Sequence, residues 1–430
     1  MNKRITIYRG SHQIGGCVTE IKTENHRIVI DFGQNLPDSK ADDVMTDEEL
    51  LRTIFHGESC DGVLFTHYHG DHIGMYKNIP KDIPLYIGPT AKKILEILTE
   101  KLDSIPETVE KGLPRVQGMK EFCPGQKISK FGDIRVTPFV VDHSALDAYM
   151  FLIEIDGKKI LFTGDFREHG IAGEGNTLEK MVNKYIGKVD ILITEGTMLS
   201  RREEARWNPI QTEKDLGKRA RELFQENKES VILVSSTNLD SIMEFYHALP
   251  WGMGFVCDAY QAKLMLAAME DKGKYYPKYR PEMIHGKPRS LFIVGKMEGL
   301  GREQNCYKAD FDILMNKGFT MLARESKPMF AEIMAKFPDP LIIYSKWSGY
   351  LEGEHANAKI QEFIGNHRME KLHTSGHAYV ETIEKLIRLT NPEVIIPMHT
   401  ECAEEFGKIE AFVSYCDKVR VLQDGEEFYF

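Results

Sequence analysis

Apolar residues come in short runs over the first part of the chain: "ITIYRG", "CVTEIKT", "HRIVIDFG", "GVLFTH", "IPLYIG", "DIRVTPFVV", "AYMFLIEI", "KKILFTGDF" and "VDILITEG". Several alternate apolar with polar positions and others are continuously apolar, which predicts half-buried and fully buried strands. Between them "PTAKKILEILTEKLD" at 89–103 places Ile94, Leu95, Ile97 and Leu98 on one stripe, which predicts a helix. From about Arg201 the texture becomes an alternation of helix and strand, opening with "RWNPIQTEKDLGKRARELFQEN" as helix and "SVILVSS" as strand. That alternation predicts a second α/β unit with a largely parallel sheet. After about His367 short β units return, "EVIIPMHT", "KVRVLQD" and "EEFYF" among them, with helical stretches between. The later unit therefore reads as an insertion into the first.

At 430 residues, with 42% hydrophobic and 28% charged positions, the chain has the composition of an ordinary folded protein of two or three domains. Runs such as "GVLFT" at 62–66 are too short to span a bilayer and "MNKRITIYRG" has no apolar export signal, so a cytoplasmic protein with no membrane partner is expected. The seven cysteines contain no CxxC pair, and an odd count points to reduced thiols. The net charge of −10 carries no basic signature of nucleic-acid binding, although "DKGKYYPKYRPEMIHGKPR" at 271–289 sets six Lys/Arg against two acids and interleaves Tyr275, Tyr276 and Tyr279. A solvated loop explains that stretch as readily as base stacking does.

The densest chemistry is "THYHGDH" at 66–72, which packs His67, His69, Asp71 and His72 into six positions directly after an apolar strand. One such histidine is ordinarily structural. Four imidazole or carboxylate donors at this spacing suit divalent cations. Three more donors each follow an apolar run: His143, Asp165 and His399. Together they form a set large enough for two cations sharing a carboxylate, a device that supplies hydroxide at neutral pH for ester or phosphodiester hydrolysis. The pair His373 and His377 in "HTSGHA" is left over, as metal ligands, catalytic groups or neither. "VSSTN" at 234–238 falls between a strand and a helix, where Ser235, Ser236 and Asn238 suit either phosphate binding or a plain helix cap.

The HxHxDH pattern at 67–72 resembles the signature of the metallo-β-lactamase superfamily, and "IVIDFG" resembles its first motif, with Asp31 orienting ligands. The resemblance implies an αββα sandwich in which His67, His69 and His143 hold one zinc, Asp71, His72 and His399 hold the other, and Asp165 bridges. More than two hundred residues separate Asp165 from His399, a layout similar to the β-CASP branch of nucleases. On that resemblance residues 1–198 and 369–430 form the metallo-β-lactamase domain and 199–368 the inserted β-CASP α/β domain, a parallel sheet flanked by helices. "ILITEGT" then supplies Glu195, "HTSGHA" supplies His377, and "PMHTE" supplies the last ligand.

A histidine at 399 resembles the RNA-processing members, ribonuclease J above all. This implies hydrolysis of single-stranded RNA with two divalent cations, zinc or else manganese, with Asp71, Asp31, Glu195 and His377 in the catalytic machinery. His377 would be the proton donor, and Glu195 would orient it. His373 and Ser375 would contact a substrate phosphate, and a homodimer is allowed. Two departures stand out: ribonuclease J usually carries a further C-terminal domain where only residues 400–430 follow here, and it has a larger acidic residue at the position of Gly70. Rival readings are a DNA nuclease of the same branch, a hydrolase of small esters or lactones, and an RNA-binding subunit without metals.

Overall fold

The computed structural model describes residues 3–36, 45–57, 59–270, 283–284 and 287–430. Tyr275, Tyr276 and Tyr279 lie outside them. The chain divides into two compact units, one of Met1–Glu168, Ala172–Trp207 and Gly376–Phe430, the other of His169–Ile171 and Asn208–Ser375.

The first unit is built on two sheets. Strands β1 (Arg4–Arg9), β2 (Val18–Lys22), β3 (Arg27–Ile30), β4 (Gly62–Leu64), β5 (Leu85–Ile87) and β6 (Lys120–Glu121) form one, in that order, with the C-terminal strand Glu427–Tyr429 paired to β1. The other runs β7 (Ile128–Phe131), β8 (Ile134–Val141), β9 (Ala148–Ile155), β10 (Lys158–Phe162), β11 (Ile191–Glu195), then the returning strand Val394–Met398.

Strand β9 shows why they stack. Its Tyr149, Phe151, Ile153 and Ile155 face a core shared with Ile5, Ile21, Ile28 and Leu64 of the first sheet. The alternate positions Ala148, Met150 and Leu152 pack with Val182, Ile383, Leu386 and Ile387, from helical segments. The two-residue period of a strand thus sends one set between the sheets and the other under helices, the middle of a layered sandwich. The expected helix is observed as Pro89–Asp103.

In the second unit an all-parallel sheet is assembled from β12 (Glu229–Val234), β13 (Gly254–Asp258), β16 (Leu291–Val294), β17 (Cys306–Lys308), β18 (Phe319–Ala323), β19 (Leu341–Ser345) and β20 (Met369–Lys371), after a separate pair β14 (Met283–Ile284) and β15 (Lys287–Pro288). Its order is β17-β16-β13-β18-β12-β19-β20. The fold is mixed α/β, as the sequence pattern predicts.

Two expectations are corrected. The stretch 206–227 is not one helix: Arg202–Trp207 stops before Asn208-Pro209, and a new helix Glu213–Glu226 starts at the Thr212–Asp215 capping box, since proline cannot continue a helix and Thr212 satisfies a free N–H. "KVRVLQD" is not a strand. It makes one bridge, Val419 to Ile395 in the second sheet, and by Asp424 and Gly425 it is bonded to Ser11 and Ile7 of the first. A segment crossing from one sheet to the other cannot run along either.

Candidate metal centre

Each donor sits just beyond a strand end. Asp31 follows β3, His67 follows β4, His143 follows β8, Asp165 follows β10, Glu195 ends β11 and His399 follows Val394–Met398. Strands β3 and β4 pair in parallel, as do β10, β11 and Val394–Met398, so their C-terminal ends leave each sheet at one edge. All of these residues belong to the first unit.

His67, His69 and His143 offer ligand atoms within 4.8 Å of one another. His143 Nδ1 donates to the Gly376 carbonyl at 2.5 Å, which leaves its Nε2 lone pair facing His69 Nδ1 at 3.3 Å. Burial holds all three rings toward the neutral form: His67 and His143 lie well below the ordinary histidine value and His69 is pushed down to about 4. Converging neutral imidazole lone pairs are what a cation requires.

Beside them, His72 Nδ1 donates to Asp31 Oδ2 at 2.8 Å and turns Nε2 to Asp165 Oδ2 at 3.1 Å. His399 Nε2 lies 3.4 Å from Asp71 Oδ2 and 3.9 Å from Asp165 Oδ1. Asp71 also stands 4.0 Å from His72 Nε2. Burial alone would raise the Asp71 and Asp165 carboxyls, but the neighbouring His399 and His72 imidazoles outweigh it and hold both below the ordinary carboxylate value. Burial alone would lower His72 and His399, and the negative charge of Asp165 leads the groups that raise them instead. His67 Nε2 and Asp165 Oδ1 are buried without a hydrogen-bond partner. Such a pocket is short of positive charge and has orphaned donors, so the residues present fit divalent cations.

Next to this cluster, His377 Nδ1 lies 3.1 Å from Glu195 Oε2 and 3.6 Å from Asp165 Oδ2. Glu195 is buried and also accepts from the Phe166 N–H at 2.9 Å, while His377 keeps 22% of its side-chain surface exposed. Asp165, Glu195, His377 and His399 form a further group of donors within 4.8 Å. His377 therefore stands against the cluster, oriented by a carboxylate and open on one side.

Ten of the residues singled out in the sequence thus meet in one place. The other five lie in the second unit. Asn238 caps the helix Leu239–Ala248 by accepting from the Ser241 N–H, Ser235 is exposed with its hydroxyl 2.8 Å from that of Thr237, and Ser236 is half-buried. The backbone carbonyls of His373 and Ser375 accept from Asn208 Nδ2 at 2.9 Å and His169 Nε2 at 2.8 Å. At Gly70 an added Cβ would meet nothing within 4 Å, so the backbone leaves room for a larger residue.

Sequence reasoning missed the groups that aim the donors. Thr66 donates from N–H (2.7 Å) and hydroxyl (2.8 Å) to the Asp31 carboxylate. Thr197 Oγ1 sits 2.7 Å from His399 Nδ1 and 3.3 Å from the His399 carbonyl. A carbonyl only accepts, so the hydroxyl proton goes there and the ring N–H donates to Thr197, which directs Nε2 inward. Asp142 and Arg167, a buried ion pair, tie the residue before His143 to one just after Asp165. Polar residues of these types at strand ends are common, and no spacing marks them.

Residues 26–266 match the family model of a β-lactamase superfamily domain. The chain belongs to the metallo-β-lactamase superfamily. Residues 366–409 match a Zn-dependent metallo-hydrolase RNA specificity domain, a span containing His373, His377 and His399. Ribonuclease J of Helicobacter pylori is 24% identical over 419 residues, 93% of this chain and 56% of that protein. An RNase J-like protein of Methanocaldococcus jannaschii is 26% identical over 208 residues, 45% of this chain and 42% of its own. The chain spans about half the length of these curated relatives. The crystal structure of a protein of unknown function from Enterococcus faecalis V583 superposes with a TM-score of 0.75 at 22% identity, covering 100% of both chains, and so shares the fold. No helix among the described residues is long and apolar enough to cross a membrane.

Proposed function

We propose that this protein is a metal-dependent ribonuclease that hydrolyses phosphodiester bonds of single-stranded RNA. The observation that carries the reading is the Glu195–His377 pair against the donor cluster, because a half-open imidazole that the ligand set does not need is suited to proton transfer. His67, His69 and His143 would hold one divalent cation, Asp71, His72 and His399 the second, with Asp165 shared and Asp31 steadying His72. Bound there, the cations, zinc in this reading, act as Lewis acids toward the phosphoryl oxygens and lower the pKa of water to about 7.

The rest falls to the chain. Once the water has lost a proton to bulk solvent, its oxygen adds to phosphorus as the bond to the 3′-oxygen breaks; His377 donates a proton to the departing oxygen, while Glu195 accepts the other ring N–H and fixes the tautomer. In the second unit, Ser235 and Ser236 stand where a parallel strand ends and a helix begins, and with Asn238, His373 and Ser375 they are our candidates for contacts to RNA phosphates.

The names of the relatives and of the RNA specificity domain support RNA over a small ester. The test compares purified protein on 5′-monophosphorylated RNA, 5′-triphosphorylated RNA and matched single-stranded DNA, with Asp71→Ala as control. Cleavage of RNA alone, lost in the control, is expected, and the two RNA 5′ ends read the mode of attack. Equal cleavage of DNA, or of neither polymer, overturns the assignment.

A further inference from the structure

One thiol lies against the donor cluster that the ligand roles above do not use. Cys17 Sγ and one ligand atom each of His72 and His399 are within 4.8 Å of one another, and among the described residues no other cysteine belongs to such a group. The main chain that carries the thiol is fixed in place. It is tied on both sides, since Cys17 N–H donates to the Asp71 carbonyl at 2.9 Å and the Cys17 carbonyl accepts from Gly33 N–H at 3.0 Å. Sγ lies against Gly10, where even a Cβ would come within 3.3 Å, and the Gly10 carbonyl accepts from His399 N–H at 2.6 Å.

The thiol and the backbone of His399 are thus held against the same glycine. The His72 side chain, 2% exposed, is the third member of that group, with its Nε2 3.1 Å from Asp165 Oδ2. An apolar core cysteine needs none of this. Cys17 does contribute to the core between the sheets, but an alanine or valine there would serve packing alone. Sulfur and nitrogen ligands of one tetrahedral zinc stand about 3.5 Å apart, so the group needs to tighten by roughly an ångström to close on a cation.

We propose that Cys17 is a further ligand of the cation held by His72 and His399, binding as a thiolate and making this position favour thiophilic zinc or cobalt over manganese. The thiol proton leaves to bulk water as the sulfur–metal bond forms, so uptake at this position releases a proton. The inference rests on the reading of the histidine–carboxylate cluster as a cation site.

Metal-stripped protein titrated with cobalt(II), followed by metal analysis and absorption, separates the two. A near-ultraviolet sulfur-to-cobalt charge-transfer band is expected as the second equivalent binds. In Cys17→Ser the band should vanish while visible d–d absorption persists, with second-site affinity lower by at least about tenfold. Both equivalents bound without the band, or a band unchanged in Cys17→Ser, overturns the thiolate and leaves the cation site standing. No cobalt bound overturns both. Should Cys17→Ser fail to fold, zinc-edge X-ray absorption of the unaltered protein decides alone: sulfur at about 2.3 Å, roughly half an atom per zinc averaged over two, is expected, and nitrogen and oxygen shells only refute it.

Discussion

His377 and His399 stand with stacked rings 5.6 Å apart, yet their partners differ, and on that difference rest the separate roles we propose for them. His377 is oriented by a buried carboxylate and is partly exposed. His399 is buried, with Nδ1 committed to Thr197 and Nε2 aimed at Asp71. Replacing His377 by alanine should slow RNA cleavage by about 10² to 10⁴ with metal content unchanged, as expected for a proton donor. Loss of metal in that variant would make it a ligand instead. Thr197→Val leaves the volume nearly intact but removes the acceptor of the ring N–H. Second-cation affinity should fall about ten- to a hundredfold by isothermal titration, with Thr197→Ser restoring it. A valine variant that binds both cations normally would show that packing alone orients His399.

At the scale of elements, the site depends on loops that pass each other without room for side chains. An added Cβ on Gly33, two residues beyond Asp31, would fall 1.7 Å from the Asp71 carbonyl. The Gly33 N–H is bonded to Cys17 at 3.0 Å, and its carbonyl accepts from the buried Arg9, which also donates to Gly16 at 2.9 Å. Gly33→Ala should therefore cost about 1–3 kcal/mol of stability and loosen the Asp71–His72 loop, seen as a lower melting temperature together with weaker metal retention. Stability unchanged with full metal content would mean the loop has slack that the close approach does not suggest.

Elements also set how much was legible. The apolar run predicts the strand β9, and burial of both its faces, one between the sheets and one under helices, explains why that run is unbroken. No apolar period marks the strand β7, Ile128–Phe131, because it closes the edge of its sheet and its middle residues face solvent. "KVRVLQD" has a strand's alternation but spans the gap between two sheets.

On the scale of the whole molecule, the donors come from six separate strand ends but from one of the two units. Stripping metal should therefore lower the melting of that unit while leaving the parallel-sheet unit nearly unmoved. Cations at a hundredfold above their dissociation constant stabilise by about 2.7 kcal/mol per site, and the loss is readable by calorimetry with and without chelator. Asp165→Asn, which removes the shared carboxylate charge, should flatten the difference. A chelator effect of equal size in both transitions, or in neither, would contradict a metal centre confined to this unit.

The sequence alone determined which residues are candidates: donor-rich loops after apolar strands, in an order set by the chain, and an α/β unit inserted before His399. That much is local, because the apolar period and the residues beyond each strand end are written in consecutive positions. Only the tertiary structure decided which candidates meet. His143 and Gly376, Thr197 and His399, Cys17 and His72 are far apart in the chain, and their contacts follow from parallel strands leaving two stacked sheets at one edge. Spacing along a chain carries no record of that packing.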